Sequence, residues 1–150
     1  KYGHLIVHET AQETNDQTKA MRHIMSNVPE VSDIFITGAT GLREDHTIGN
    51  ISLLMEYTRT FDLGGINLTM VSDHSVICPV TDSIELDCGT GRKVSILTPD
   101  NSLRIKSEGL EWPTDDVVFD NWWKATLNRA SEDKIKLEFS HKSLAIIIMN

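Results

Sequence analysis

The sequence has few cysteines, no long apolar run and no excess of basic charge. Its 150 residues include two cysteines, Cys78 and Cys88. They are too few and too far apart for a zinc knuckle or a C-x-x-C redox pair, so we expect two buried free thiols. The longest apolar run, residues 144–149, is far shorter than the roughly 18 residues that a membrane-spanning helix requires. The sequence therefore predicts a chain that does not cross a membrane.

Acidic residues outnumber basic ones by 22 to 14, which gives a net charge of −8 with histidine neutral. Proteins that bind the nucleic-acid backbone or an anionic membrane surface need a basic face, so the charge argues against both partners. It does not argue against a phosphorylated small molecule, because carboxylates can hold a divalent metal ion. The first residues also lack the apolar core of a signal peptide, and we expect a soluble protein of the reducing cytoplasm.

The first half of the sequence alternates between strand and helix patterns. Short apolar runs typical of buried strands occupy residues 5–7, 33–37, 67–71 and 75–80. Between the first two runs, Thr14 as N-cap and Gln17 predict the capping box of a helix that Pro29 ends. That helix carries the apolar stripe Ala20, Met21, Ile24, Met25 and Val28, and a second helix carries Ile48, Ile51, Leu54 and Met55. This order predicts an α/β domain with a parallel sheet, of the Rossmann-like, three-layer type.

The pattern changes after about residue 82. Short strand-like runs separated by turn residues occupy residues 83–87, 93–97, 103–107, 117–119, 134–139 and 144–149. Closely spaced strands without helical spacing between them predict an all-β sandwich or barrel. We therefore divide the chain into an α/β domain, residues 1–81, and a β domain, residues 82–150.

Polar loops follow the first two predicted strands, where parallel sheets bind ligands. The first loop contains Gln12, Asn15, Asp16 and Lys19, and the second contains Gly38, Gly41, Arg43 and Asp45. Glycine lets backbone N–H groups approach a phosphate, and an arginine can hold phosphate oxygens in a fork. Asp16 and Asp45 offer hard oxygen ligands for a metal ion, or base sites. The loops indicate a site for a magnesium-linked phosphate ligand.

Each of these residues has a structural alternative. Thr14 and Asp16 could serve only to cap the first helix, and Gly38 and Gly41 could only form a turn. The sequence contains neither G-x-x-x-x-G-K-[ST] nor G-x-G-x-x-G, the two common phosphate-binding patterns. Local chemistry alone therefore leaves the phosphate ligand unidentified.

Four segments together resemble a known family. Residues 37–51, TGATGLREDHTIGNI, resemble the G-x-x-G-x-R-x-D-H-x-x-x-N-I signature of thiamin pyrophosphokinases. Residues 12–20, QETNDQTKA, are similar to that family's Q-x-x-[TN]-D-x-x-K-A motif. Residues 109–113, GLEWP, resemble its G-L-K-[WY]-P/N segment, and residues 126–128, TLN, lie where it has a short Ser/Thr-rich run ending in Asn. The order and spacing of the segments agree across nearly the whole chain.

The resemblance implies an α/β nucleotide-binding domain followed by a β-sandwich that binds thiamin. It implies a homodimer with thiamin near the subunit interface. It also implies transfer of a pyrophosphoryl group from ATP, with Mg²⁺, to the hydroxyl of thiamin, which gives thiamin diphosphate and AMP.

The resemblance also implies roles for individual residues. Asp16 is a metal ligand, and Gln12 and Asn15 position the nucleotide or metal-bound water. Arg43 stabilises phosphate charge, and Asp45 orients the reacting groups or accepts a proton. Other expected contacts with the nucleotide are Lys19, Gly38 and Gly41, and those with thiamin are Trp112, Thr126 and Asn128.

The sequence departs from the family pattern in several places. The acidic motif G-D-x-D-S that the family carries upstream is absent, so we expect part of a longer chain and little or no catalysis by these residues alone. Leu42 replaces a usual glycine, and Ala125 and Leu127 stand where hydroxyl side chains are common. Trp122 and Trp123 have no counterpart in the family motifs, and we expect them to pack in the core or at a dimer interface.

Two other interpretations stay open at this point. The chain could be a truncated relative that binds thiamin or a nucleotide without turnover. It could also be a generic nucleotide-binding α/β unit joined to an unrelated β domain, although motifs from both halves agree in order with one family.

Overall fold

The computed structural model describes residue 3, residues 6–10 and residues 12–150, and these residues form two helices and nine strands. The helices are α1 (Asp16–Asn27) and α2 (Glu44–Thr60). The strands are β1 (Asp33–Thr37), β2 (Asn67–Val71), β3 (Val76–Val80), β4 (Ile84–Asp87), β5 (Lys93–Leu97), β6 (Ile105–Glu108), β7 (Ala125–Arg129), β8 (Lys134–Phe139) and β9 (Ala145–Met149). The chain divides into two compact units, Lys1–Ser32 and Asp33–Asn150, which are described separately. In the described part of the chain, no helix has the length and apolarity needed to span a membrane.

Helix α1 dominates the first unit. Its N-cap is Asn15, whose Oδ1 accepts a hydrogen bond from the backbone N–H of Thr18 at 2.8 Å. The predicted capping box on Thr14 is therefore wrong by one residue, because asparagine is an equally good cap and lies one position nearer the helix. The helix ends before Pro29, as predicted. The predicted strand at residues 5–7 is also wrong: Ile6 and Val7 are exposed and outside any strand, and residue 5 lies outside the described residues.

In the second unit, six strands form one sheet in the order β1-β2-β3-β9-β5-β7. Strands β1 and β2 are parallel, and α2 connects them. Strand β3 is antiparallel to β2 because only residues 72–75 separate the two, too short a connection for a parallel crossover. The β3–β9 and β9–β5 pairs are antiparallel too. The described sheet is therefore mixed, and the prediction of a parallel sheet holds for the β1–β2 pair.

The main core lies between this sheet and a second, antiparallel sheet of order β4-β8-β6. Strand β9 contributes Ala145 and Ile147 to that core, while Ile146 between them is also fully buried. A strand covered on both faces explains the continuous apolar run at residues 144–149. Both cysteines are free thiols, as expected. Cys88 is buried in the same core, whereas Cys78 packs against it and is only partly buried, contrary to the expectation. Desolvation, together with the nearby Cys88, raises the pKa of Cys78 to about 11.

Most predicted strands after residue 82 are confirmed to within two residues at either end. One predicted strand is absent, and one observed strand was not predicted. Residues 117–119 form no strand; Phe119 reaches the core from a loop, so its burial does not reflect strand pairing. Strand β7 was not predicted. Its burial pattern is irregular, with Ala125 and Asn128 buried and Leu127 84% exposed. The predicted domain boundary falls directly after β3, which pairs with β9; it stays a prediction.

Candidate functional site

In the first unit, Asp16 and Lys19 lie close together at the start of α1. One oxygen of Asp16, Oδ1, is 3.3 Å from Nζ of Lys19, one turn further along the helix. A carboxylate at this position interacts favourably with the helix dipole. Asn15 is engaged as the N-cap, and Gln12 is exposed in the preceding bend. The first predicted loop is therefore an exposed, charged segment at the N-terminal end of α1.

A groove of about 700 Å³ runs between residues 7–9 and α1. Asp16, Lys19, Arg22 and His23 are among the residues that line it. Two of its lining side chains, Lys19 and Arg22, are basic and two, Glu9 and Asp16, are acidic, so the groove presents charges of both signs to a ligand. The groove therefore extends the candidate site beyond the residues that the sequence predicted, by adding Arg22.

The described residues contain no group of three or more His, Cys, Asp and Glu side chains placed to hold a metal ion. Mg²⁺ bound to a nucleotide is commonly held by one or two carboxylates, with waters and phosphate oxygens as the other ligands. The exposed carboxylate of Asp16 therefore fits a single protein ligand to such an ion, but the described residues form no complete metal site.

In the second unit, the loop between β1 and α2 carries the predicted glycines and Arg43. Gly38 and Gly41 have φ values of 68° and 95°, which favour glycine, and both are exposed. Nδ2 of Asn50, on α2, donates a hydrogen bond to the carbonyl oxygen of Ala39 at 2.7 Å. The loop is therefore tied to the helix that follows it, in a conformation that leaves its backbone open to solvent.

The structure brings Arg43 and Asp45 together at the start of α2. Nε of Arg43 donates to Oδ1 of Asp45 at 3.0 Å, and Nη2 donates to Oδ2 at 2.5 Å. These bonds are the main reason that the pKa of Asp45 lies below its usual value of 3.8; the backbone N–H of His46 contributes as well. A carboxylate with a lowered pKa is a weak proton acceptor. The geometry therefore favours Asp45 as a group that orients Arg43.

The three residues predicted for thiamin line one cavity of about 250 Å³ in the second unit. Its lining consists of Trp112, Pro113, Thr114, Val117, Lys124, Ala125, Thr126, Leu127 and Asn128. Trp112 is 53% exposed, whereas Asn128 is 5% exposed and bonds to the backbone of Trp112. The hydroxyl of Thr126 donates to the carbonyl oxygen of Trp123 at 2.8 Å. Trp112 is thus the most accessible of the three side chains.

Sequence reasoning gave no structural role to two residues that line this cavity, Thr114 and Leu127. Thr114 is buried: its hydroxyl donates to the carbonyl oxygen of Ile105, and its N–H donates to Oγ of Ser107. Leu127 has a φ of 62°, in the left-handed region that non-glycine residues rarely occupy. Neither feature has a sequence signal: Thr114 is bonded to groups of β6, and the N–H of Leu127 is bonded to Oγ of Ser95 in β5.

The neighbouring tryptophans do not pack in the core, contrary to one of the two expectations. Trp122 and Trp123 are 43% and 64% exposed. Nζ of Lys124 lies 4.8 Å from the centroid of the Trp123 ring, a distance typical of a cation–π contact. These rings are therefore surface features.

Comparison with protein families gives two matches in chain order. Residues 1–63 match the model described as "Thiamin pyrophosphokinase, catalytic domain". Residues 75–146 match the model described as "Thiamin pyrophosphokinase, substrate-binding domain". No curated protein matches the sequence. The two matches contain all of the candidate site residues described above.

Several solved structures have a similar fold at low sequence identity. A thiamine pyrophosphokinase from Bacillus subtilis is 19% identical with a TM-score of 0.78, and the similarity covers 96% of this chain and 66% of that one. The corresponding enzyme from Geobacillus thermodenitrificans is 18% identical with a TM-score of 0.73, over 94% of this chain and 63% of that one. One from Candida albicans is 15% identical with a TM-score of 0.72, over 96% and 64%.

The chain therefore spans slightly less than two thirds of the length of these structures. At such identities the likeness establishes the mixed α/β fold with two sheets.

Proposed function

Because this chain belongs to the thiamin pyrophosphokinase family, we propose that it takes part in the Mg²⁺-dependent transfer of a pyrophosphoryl group from ATP to the hydroxyl of thiamin, giving thiamin diphosphate and AMP. The observation that carries the proposal is the match of both family domains, in order, to nearly the whole chain. Arg43 and the glycine loop in one match, and the Trp112 cavity in the other, supply the two kinds of site that this reaction requires.

The proposal assigns the two substrates to different parts of the chain. Residues 1–81 form a Rossmann-like nucleotide-binding domain, and residues 82–150 form a β-sandwich that binds thiamin. The parallel β1–β2 pair is typical of the first domain, and the core between two sheets is typical of the second. Strand β3 connects them, since it pairs with both β2 and β9. We also propose that the protein works as a homodimer in the cytoplasm.

On the nucleotide side, Arg43 stabilises the charge of the transferred phosphates. Its guanidinium is held by Asp45, so it meets the phosphate with its orientation already set. The exposed backbone at Gly38 and Gly41 approaches the same phosphates. In the first unit, Lys19 is proposed as a separate contact that offers the nucleotide a compact positive charge. Gln12 and Asn15 contact the nucleotide or its bound water.

Asp16 would hold Mg²⁺ through one carboxylate oxygen, beside ligands that the triphosphate and water supply. When bound, the ion would neutralise part of the triphosphate charge. Lys19 lies 3.3 Å from Asp16, so the two side chains would present opposite charges to one phosphate chain.

On the thiamin side, the exposed face of Trp112 provides a stacking surface for the pyrimidine or the cationic thiazolium ring. Thr126 lines the same cavity. The thiamin hydroxyl must reach the transferred phosphorus in line with the leaving AMP, so correct placement of the rings contributes to the rate.

The test is an assay on the protein at the length that the cell produces. We expect thiamin diphosphate and AMP to form in equal amounts with Mg²⁺, ATP and thiamin, and neither to form when thiamin is omitted. A matched pair of variants, Trp112→Phe and Trp112→Leu, separates stacking from mere filling of the cavity, because leucine fills space without an aromatic face: only the leucine variant should raise the KM for thiamin strongly.

Two outcomes would contradict the transfer. Thiamin binding by calorimetry without AMP formation would leave a non-catalytic binding module. AMP formation that does not depend on thiamin would show that another compound is the acceptor.

A further inference from the structure

An irregularity in β7 turns the side chain of Asn128 toward the interior. Ala125 pairs with Ile96 and Asn128 with Val94, so two residues of β7 stand opposite Ser95 alone. Such a bulge shifts the alternation of the side chains by one position, which explains why Ala125 and Asn128 are both 5% exposed. Leu127 takes the left-handed conformation at the bulge, with a φ of 62°.

The amide of Asn128 continues a backbone ladder. Residues 109–111 run antiparallel to residues 129–131: the N–H of Ser131 donates to the carbonyl oxygen of Gly109, and that of Glu111 donates to the carbonyl oxygen of Arg129, both at 2.8 Å. At the next rung, Oδ1 of Asn128 accepts from the N–H of Trp112 at 3.2 Å, and Nδ2 donates to the carbonyl oxygen of Trp112 at 2.6 Å. The side-chain amide thus takes the place of a peptide group in the ladder.

These bonds leave the amide little capacity for a ligand. Oδ1 also accepts from the backbone N–H of Arg129 at 2.8 Å, so both of its acceptor positions are engaged. One N–H of Nδ2 is bonded to the carbonyl oxygen of Trp112, and the low exposure of Asn128, 5%, leaves the other N–H little access to a ligand. A ligand that bonded to Oδ1 would have to displace a backbone N–H, which would then be left without a partner in a buried position.

We propose that Asn128 is a positioning residue, which fixes the backbone of Trp112 so that the indole stands at the cavity before any ligand binds, and which does not itself contact the ligand. The identity of the ligand as thiamin rests on the proposed function. The fixing of Trp112 by Asn128 rests on the observed hydrogen bonds and not on that function. The consequence is that the thiamin site depends on a buried amide that the substrate never touches.

A substitution at Asn128 distinguishes positioning of Trp112 from direct contact with the ligand. Asn128→Asp keeps the size of the side chain and its acceptor oxygen. It replaces Nδ2 by a carboxylate oxygen, which faces the carbonyl oxygen of Trp112, so the hydrogen bond of the natural protein becomes a repulsion. The matched control is Glu111→Gln, which weakens the 3.5 Å ion pair between Glu111 and Arg129 in the same segment without touching the amide.

The first readout is ¹⁹F NMR of protein labelled with 5-fluorotryptophan, with the Trp112 signal assigned by Trp112→Phe. We expect Asn128→Asp to shift or broaden the Trp112 signal in the absence of ligand, while Glu111→Gln leaves it in place. We also expect Asn128→Asp to weaken thiamin binding by roughly tenfold or more, because one buried hydrogen bond is lost and a repulsion replaces it, with ATP binding unchanged. An unchanged Trp112 signal in Asn128→Asp would overturn the proposal.

A second measurement needs no variant and so does not depend on how Asn128→Asp folds. The side-chain NH₂ of Asn128 in ¹⁵N-labelled protein should exchange slowly with solvent, and its signal should hold its position when thiamin is added. Rapid exchange, or a large shift on addition of thiamin, would show that the amide is free to contact the ligand and would refute the positioning role. If thiamin does not bind at all, the proposed function fails, while the slow exchange still decides the positioning of Trp112.

Discussion

The guanidinium of Arg43 donates two hydrogen bonds, of 3.0 and 2.5 Å, to the carboxylate of Asp45 at the first turn of α2. Both side chains stay about two-thirds exposed, at 67% and 63%. The fork of the arginine is therefore oriented by a neighbour but open to solvent, which is the state in which it can receive a phosphate with little loss of side-chain freedom. An exposed pair of this kind contributes little to stability, so its value lies in orientation.

Replacing Arg43 with lysine should abolish that orientation and keep the charge. We expect Arg43→Lys to lower the rate of AMP formation by roughly a hundredfold, the typical loss when one group that stabilises transition-state charge is removed. Asp45→Asn serves as the matched variant: if Asp45 only orients Arg43, its loss should lower the rate less than Arg43→Lys does. Steady-state kinetics at saturating ATP, with circular dichroism as the check on folding, decide the point. A larger loss in Asp45→Asn would instead assign proton transfer to Asp45.

Gly109 packs against the backbone at the start of β8. A Cβ at this position would overlap the carbonyl oxygen of Lys134, and the φ of Gly109 is 78°. Gly91 has a similar φ of 87°, but a Cβ there would meet open space. We expect Gly91→Ala to cost about 1–2 kcal/mol of unfolding free energy for its conformation alone. Gly109→Ala should cost a further 1–3 kcal/mol or so, because the backbone must also move. Urea unfolding of both variants measures the difference, and equal losses would contradict the overlap.

The left-handed conformation of Leu127 lowers the stability of the fold, and glycine at this position would avoid that cost. Its side chain is 84% exposed, so little packing is lost when it is shortened. We expect Leu127→Gly to be more stable than Leu127→Ala by about 1 kcal/mol, because only glycine relieves the left-handed φ. Thermal and urea unfolding of the two variants give the comparison. Equal stability of the two would mean that the bulge relaxes when Leu127 is shortened.

Asp100 joins two turns at one end of the β core. It accepts hydrogen bonds from the hydroxyls of Ser102 at 2.6 Å and Ser143 at 2.7 Å, and its Oδ2 lies 3.0 Å from Nε2 of His141. These contacts, that of Ser102 first, hold the pKa of Asp100 well below its ordinary value of 3.8. A group whose pKa is lowered on folding stabilises the protein above its unfolded pKa, and that stabilisation is lost as the pH falls through the folded value.

We therefore expect Asp100→Asn to lower the urea midpoint at pH 7. Its deficit relative to the natural protein should shrink as the pH falls below about 4, where the carboxylate of the unfolded chain becomes protonated. Asp82→Asn is a suitable comparison, since Asp82 makes only an exposed 3.5 Å contact with Lys142 besides a bond to its own turn. A deficit that is independent of pH would show that the carboxylate acts by shape and not by charge.

Several elements were predictable because local chemistry decides them. Strands β1, β2, β5 and β8 have the predicted bounds, since each is a short run rich in β-branched or alternating apolar residues between turn residues. The end of α1 before Pro29 follows from the ring of proline itself. The choice of Asn15 over Thr14 as the cap was not predictable, because both side chains can accept the same kind of hydrogen bond.

The candidate site also has parts that local motifs predict and parts that depend on tertiary contacts. The loop after β1 and the candidate thiamin residues were predicted from motifs. Trp112 and residues 126–128 line one cavity, and their role in binding thiamin stays a prediction. The bulge in β7 was not predictable. Its leucine at a positive φ and its buried asparagine are held by Ser95 and Trp112, which lie 32 and 16 residues away along the chain.

The sequence by itself determined both helices and most of the strands, the glycine and arginine loop, and the family to which the chain belongs, because these depend on residue types and spacing along the chain. Only the tertiary structure decided the pairing of β3 with β9, the covering of β9 on both faces, and the use of Asn128 as a substitute for a peptide group. Those features depend on which distant segment satisfies each buried polar or apolar group, and spacing along the chain does not encode that choice.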